Sequence, residues 1–257
     1  MFIKEENEKE ISILERKLKE FYDNTDVYIV YEKKTWQPEF WNVIIEKIKK
    51  TPGKKTRILE IGAAKSGFPE YVIEKGISTF FAFQDITSRC KEHLSRFTDE
   101  LYFCPVEEIS GRNFDIIFHS YVFEHVTRPK RFLKNVEQLL RVGGCHIIES
   151  PRYDLPIYIP PAIRHYGKRM TATYMIKSFL NLYPNFSIVK DPAVFHRKFR
   201  RDYDAIHRVT RKSIEEYISE NGIRTEIFGG KNEKLLPKMV EKYLRLKIIL
   251  YKDELNI

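Results

Sequence analysis

Ile11, Leu14, Leu18 and Phe21 recur at three- and four-residue spacing. That spacing places them on one face of a helix, so residues 5–22 are expected to form an amphipathic helix with its charged side chains opposite. The apolar run VYIVY follows at 28–32, then a second helix is expected over 39–50, stopped by Pro52 and Gly53. Trp36, Phe40 and Trp41 flank this entry and read as a hydrophobic lid or cap base.

From Arg57 the rhythm changes. RILEIG is a short apolar strand running into a turn of small residues, PEYVIEKG a helix ending at Gly76, and STFFAFQD a strand ending in Asp85. A helical stretch over 87–96 leads to the strand ELYFCPV, and FDIIFHS is a fourth strand. RPKRFLKNVEQLLRVGG reads as a helix closed by Gly143 and Gly144, before a fifth strand, CHIIESP. Strict alternation of strand and helix over 57–151 predicts βαβ units and a parallel sheet. It lapses over 152–207, rich in Tyr, Pro, Arg and His with one helix near 171–181, and resumes with TRKSIEEYISENG, the strand IRTEIF, a helix at 233–243 and the strand LRLKIILY. The organisation expected is an N-terminal helical extension (1–56), a Rossmann-like core (57–151), a cap insertion after the fifth strand (152–207), and C-terminal elements completing the sheet (208–257).

Composition alters this picture little. A chain of 257 residues with 42% hydrophobic and 14% aromatic residues has ample material for a core, which excludes a wholly disordered chain. No apolar run approaches the roughly 18–20 residues that span a bilayer, and MFIKEENEKE lacks the apolar stretch of a secretory signal. Cys90, Cys104 and Cys145 stand far apart, with no CxxC pair and no Cys/His cluster. Neither a disulfide framework nor a metal site is expected, and a reduced, cytoplasmic setting is. The net charge of +9 is concentrated in 196–212 and 231–252. Such patches suit an anionic partner, or are simply a solvated basic surface.

The stretch 57–75, RILEIGAAKSGFPEYVIEK, is the most informative. Gly62, Ala63, Ala64, Ser66 and Gly67 let backbone approach a ligand closely. Asp85, 18 residues past Gly67, offers a carboxylate to the two hydroxyls of a ribose. Together they describe a pocket for an adenosine-bearing cofactor. Gly62-x-Ala64-x-x-Gly67 can be written as a dinucleotide fingerprint, so NAD is weighed. Glu60, just before the turn, would repel a pyrophosphate and suits the amino group and sulfonium of S-adenosylmethionine (SAM).

LEIGAAKSG, FAFQDIT and FDIIFHSYVFEHVTRPKRFLKNVEQLLRVGGCHIIESP together resemble the class I SAM-dependent methyltransferases, and within them the branch of small-molecule and glycan O-methyltransferases. The resemblance implies a doubly wound, mostly parallel seven-stranded α/β sheet with an antiparallel last strand. It places Glu60 and Gly62 near the methionine part of SAM, with Ala63 and Ala64 in the same turn. Asp85 falls at the ribose, Ile86 beside the adenine, and Ser120 and Tyr121 at the fourth-strand end lining the cofactor. The acid that often meets the adenine amino group aligns with Pro105, so Val106 or Glu107 would substitute.

His125 and His207 are the candidate catalytic histidines, since imidazole suits proton abstraction near neutral pH. Glu124, Arg152, Tyr153, His165, Arg197 and Arg200 are the candidate acceptor residues, the last two because arginine forks pair with phosphate or carboxylate. The expected acceptor is a small polar molecule, anionic or glycan-linked, such as a sugar or nucleotide sugar. It would be methylated at oxygen, with peripheral membrane contact open and nucleic acid not the expected partner. An RNA methyltransferase and a non-catalytic SAM-fold binding protein remain alternatives, with an NAD oxidoreductase a remote one.

Overall fold

A computed structural model of the chain describes residues 1–28, 38–51, 55–111, 113–153, 158–200, 202–228 and 245–253. Strand β1 (Phe2–Ile3) precedes helix α1 (Glu8–Asn24). Asn7 caps α1 by accepting from the Glu10 amide, and Glu8 and Glu10 sit favourably against the helix dipole. Helix α2 (Pro38–Lys50) follows. Then strand and helix alternate through β2 (Thr56–Ile61), α3 (Phe68–Glu74), β3 (Thr79–Gln84), α4 (Lys91–Leu94), β4 (Leu101–Tyr102), β5 (Phe114–Ser120), α5 (Pro129–Leu139) and β6 (Leu140–Pro151). The cap segment holds α6 (Lys168–Phe179) and β7 (Ile188–Val189). The chain returns with α7 (Arg211–Asn221), β8 (Arg224–Ile227) and β9 (Arg245–Tyr251). Thr210 caps α7, which ends at Gly222 in the left-handed conformation its missing Cβ permits.

The seven-stranded sheet has the order β4-β3-β2-β5-β6-β9-β8. Pairing is parallel from β4 through to β6, and β9 runs antiparallel to both β6 and β8. Successive strand residues face opposite sides. Leu59, Ile117, Ile148 and Ile248 therefore meet α5 and α7, through Phe132, Leu133, Val136, Ile214 and Tyr217. Ile58, Ile116, Ile147 and Ile249 meet α2 and α3, through Trp41, Ile44, Phe68 and Val72. Each fully buried aliphatic side chain contributes about 1.5–3 kcal/mol. Phe40 and Trp41 are core residues under this face rather than a lid, with Trp41 packed on Phe68 and Tyr71. Trp36 and the helix expected at 233–243 lie outside the described residues.

Three local expectations change. The helical stretch expected over 87–96 contracts to α4. The first helix starts at Glu8 rather than residue 5 and runs on to Asn24. The helix before β6 ends at Leu139, and Gly143 and Gly144 lie within the strand instead of closing the helix. A Cβ on Gly144 would stand 2.9–3.0 Å from three backbone carbonyl oxygens, so the glycine serves a close strand approach where the β5–β6 register shifts.

A third apolar cluster explains the rest of the architecture. Ile11, Leu14 and Leu18 of α1 pack against Ala162, Ile163, Tyr174, Ile188, Val194 and Ile206 of the cap segment. β1 pairs antiparallel with β7. The apolar face of α1 is therefore spent on the cap.

Candidate functional site

The order of the sheet reverses between β2 and β5, where open α/β sheets bind ligands beyond the carboxyl ends of their strands. A cavity of about 600 Å³ lies there, a size usual for a small-molecule site. Its floor comes from the strand ends: Ile61, Gly62 and Ala64 at the end of β2, Gln84, Asp85 and Ile86 at the end of β3, Val106 and Glu107 after β4, Tyr121 and Val122 after β5.

Hydrogen bonds set the shape of the first loop. The Gly62 amide donates to Gln84 Oε1 at 3.2 Å and the Ala63 amide to the Gln84 carbonyl at 3.0 Å. Gln84 Nε2 donates to the Cys104 carbonyl at 2.7 Å, so one side chain ties three strand ends together. Gly62 has φ of 62° and Ala64 φ of 45°. The Ala64 amide donates to Asp85 Oδ2 at 2.8 Å, and the Thr87 amide to Oδ1 at 3.2 Å. Asp85 is thus fixed against the loop it is expected to serve.

Seven of the expected cofactor residues line the cavity: Gly62, Ala64, Asp85, Ile86, Val106, Glu107 and Tyr121. Glu60, Ala63 and Ser120 do not, being buried behind it. Glu60 accepts from the Ser66 hydroxyl at 2.6 Å, bracing the loop, and Ser120 donates to Glu149 at 3.0 Å. The residues present suit a cationic nucleoside: a loop of small residues, a fixed carboxylate in Asp85, apolar faces in Ile86 and Val106, and carboxylates rather than a phosphate cradle around them.

The histidines part company. His125 lines the cavity, with Nδ1 3.1 Å from the Asp204 carbonyl oxygen and 3.3 Å from Asp204 Oδ2. Tyr22 and Tyr28 both donate to that Oδ2, at 2.9 and 2.6 Å. Burial works against the imidazolium, but the Asp204 carboxylate outweighs it and pushes the His125 pKa up to about 10. At neutral pH His125 is a cation and no base. His207 is fully buried, its Nδ1 3.0 Å from the Phe123 carbonyl, and burial lowers its pKa to about 3. It is a neutral packing residue away from the cavity.

The six expected acceptor residues are not brought together. Glu124 is buried and accepts from Ser150, Tyr153 is buried against Tyr158, and Arg152 lies beside it. His165 joins a separate cluster in the cap, and Arg197 and Arg200 are exposed there. No described residue of the cap segment lines this cavity. The reason is α1: its apolar face packs against the cap while Glu15, Arg16, Leu18, Lys19 and Tyr22 line the cavity.

Sequence reasoning missed these α1 residues, together with Tyr28, Gln84, Arg89, Arg128 and Arg131. Charged positions opposite an apolar stripe read as a solvated face. Arg128 is held by Glu8 and Glu15, Arg89 by Asp26, and Lys19 by Asp23. Among the described residues Arg16 and Arg131, both exposed at the opening, form no ion pair.

A family model described as a methyltransferase domain matches residues 34–224. The chain belongs to this methyltransferase family. No curated protein sequence matches it significantly. Solved structures resemble it in fold. The plantazolicin methyltransferase BpumL, in complex with a pentazolic desmethylPZN analog and SAH (S-adenosylhomocysteine), has TM-score 0.57 at 14% identity, covering 96% of this chain and 99% of that one. The Burkholderia thailandensis 1,6-didemethyltoxoflavin-N1-methyltransferase, with that acceptor and S-adenosylhomocysteine bound, has TM-score 0.51 at 13% identity, covering 94% and 88%. The CurJ carbon methyltransferase has TM-score 0.51 at 17% identity, and this methyltransferase spans 58% of that chain. Among its described residues no helix is long and apolar enough to cross a membrane.

Proposed function

We propose that this SAM-dependent methyltransferase transfers a methyl group to oxygen on a small anionic acceptor that enters beside α1. A phosphorylated or nucleotide-linked sugar fits that description. The observation that carries the reading is the cavity itself. Its floor is the small-residue loop and Asp85, and its opening holds two cations, Arg16 and Arg131, without ion-pair partners among the described residues.

Bound there, SAM supplies an electrophilic methyl group on a positively charged sulfur. Asp85, held by the amides of Ala64 and Thr87, accepts from the ribose hydroxyls. Ile86 and Val106 give the adenine apolar faces, and Glu107 lies beside them. Arg16 and Arg131 draw the acceptor's anionic group to the opening, where guanidinium forks bind phosphate or carboxylate in two-point fashion. His125, already protonated, donates to the acceptor and orients it. The proton of a hydroxyl acceptor then needs another base. Glu107, beside the adenine, is not placed for it, so that proton passes to solvent at the opening. Alignment supplies much of the rate in such an in-line displacement.

The test is a panel of phosphorylated and nucleotide-linked sugars against the wild type, Arg16→Glu/Arg131→Glu, and Arg200→Glu as a control outside the cavity. The double reversal should raise the acceptor KM at least tenfold and leave S-adenosylhomocysteine affinity unchanged. A KM that moves with Arg200→Glu but not with the double reversal would relocate the acceptor to the cap surface and refute this reading.

A further inference from the structure

The cap carries a second constellation, remote from the cavity in function and in lining. His165 follows the 3-10 turn Pro161–Ile163, Asp191 follows β7, and His196 follows the 3-10 turn Ala193–Phe195. Their ligand-type atoms, one from each, lie within 4.8 Å of one another. The Asp191 carboxylate addresses both rings: His196 Nε2 is 2.7 Å from Oδ1, and His165 Nε2 is 3.6 Å from Oδ2. The two imidazoles stack with centroids 4.7 Å apart and planes 15° from parallel.

We propose that His165, Asp191 and His196 form a binding site for a divalent transition-metal ion of the zinc, cobalt or nickel type, and that the ion fastens the two 3-10 turns of the cap to each other.

Two observations carry this beyond an ordinary His–Asp pair. First, the His165 side chain is only 10% exposed, and although the Ala162 carbonyl and the Asp191 carboxylate stand nearby, neither ring nitrogen has a partner in good hydrogen-bond geometry. Buried polar nitrogens are costly unless something satisfies them. Second, the groups around the cluster brace the ligands. The Tyr166 ring lies 4.0 Å from His165 by centroids, and its hydroxyl donates to the Asp191 carbonyl at 3.2 Å.

The donor set decides the metal. Two imidazole nitrogens and one carboxylate oxygen suit zinc and its first-row neighbours, whereas magnesium and calcium take oxygen donors. Three protein ligands leave at least one position to water. Bonds of about 2.0–2.2 Å to a shared ion bring ligand atoms within roughly 3–4 Å of each other. The widest separation therefore has to close by about an ångström. His196, with its side chain 45% exposed, has the room to make that movement. The segment enclosed, 165 to 196, contains all of α6 and β7, so the ion would staple the cap at residues that do not line the cavity. Methyl transfer does not depend on it.

The experiment uses the full chain stripped by chelator, then dialysed against zinc or cobalt, with metal content, cobalt absorption and melting temperature measured. Three proteins are compared: wild type, His196→Ala and Asp191→Asn. His196→Ala removes an exposed ring and should leave the metal-free melting temperature unchanged, and Asp191→Asn preserves shape. The wild type should bind one ion per chain, show the visible bands of cobalt in a site with nitrogen ligands, and melt at higher temperature with zinc. Both variants should bind at least tenfold more weakly and lose the zinc-dependent rise. Wild type and His196→Ala with the same affinity and the same melting response would mean that the metal goes to other surface groups, and would overturn the proposal. No stoichiometric binding by the wild type would overturn it equally.

Discussion

Asp204→Asn tests whether the charged pair beneath the cavity is as strong as its geometry demands. Asp204 is fully buried and accepts from Tyr22 and Tyr28 while facing His125. Burial disfavours its charge, but His125 and the two phenols hold its pKa below the ordinary value. The rise of the His125 pKa from 6.5 to about 10 corresponds to about 4–5 kcal/mol favouring the imidazolium in the folded state. Removing the Asp204 charge lets His125 deprotonate, which relieves part of the loss, so about 3 kcal/mol is expected at pH 7. For a chain of this length that lowers Tm by roughly 6–12 °C. The sign with pH follows from the direction of the shift. Unfolded His125 releases its proton near 6.5 while the folded protein keeps it to about 10. The contribution is therefore complete below about pH 6.5 and lost as pH rises to about 10, at up to about 1.4 kcal/mol per pH unit. Asp204, shifted down, adds stability that is present above about pH 4 and lost in acid. Urea unfolding of wild type and Asp204→Asn from pH 6 to 10 isolates the effect as a difference between the two proteins. Curves that stay parallel over that range, or a loss under about 0.5 kcal/mol at pH 7, would refute the pairing.

Asp85→Ala should weaken S-adenosylhomocysteine binding roughly ten- to a hundred-fold in titration calorimetry, because hydrogen bonds to a charged group are worth about 1.5–3 kcal/mol. An unchanged dissociation constant would remove Asp85 from the cofactor site. Gly62→Ala should destabilise by roughly 2–4 kcal/mol, since φ is 62° and the new Cβ would lie 2.4 Å from Val122 Cγ2. Adding Val122→Ala should restore part of that stability. The clash is thus with the β5 loop rather than with the cofactor itself, and thermal melts of the single and double variants check it.

The centre of the sheet was legible because its strands are short apolar runs between turn residues, and because strands buried on both faces need nothing else. TRILEI, TFFAFQ and FDIIFHS declare themselves in this way. The edges were less legible, β4 shrinking to Leu101–Tyr102 and β8 being exposed throughout. The cofactor side was legible for a related reason: Gly62, Ala64 and Asp85 sit within one βαβ unit, so sequence distance stands in for spatial distance. Where that proxy fails, the reading failed. Position after the fifth strand assigned the cap to the cavity, yet β1 pairs with β7 and α1 buries Leu14 and Leu18 against the cap, which puts the first helix in between. Such pairing across the whole chain leaves no local pattern, and Arg16 looks like any charge on a solvated face. His125 was visible as a histidine but not as a cation, because its charge comes from Asp204, 79 residues away. The same applies to His165, Asp191 and His196. Their spacing matches no familiar metal motif, and only the two 3-10 turns of the cap bring them side by side. Charge state and coordination are properties of neighbours, and these neighbours are fixed by tertiary packing.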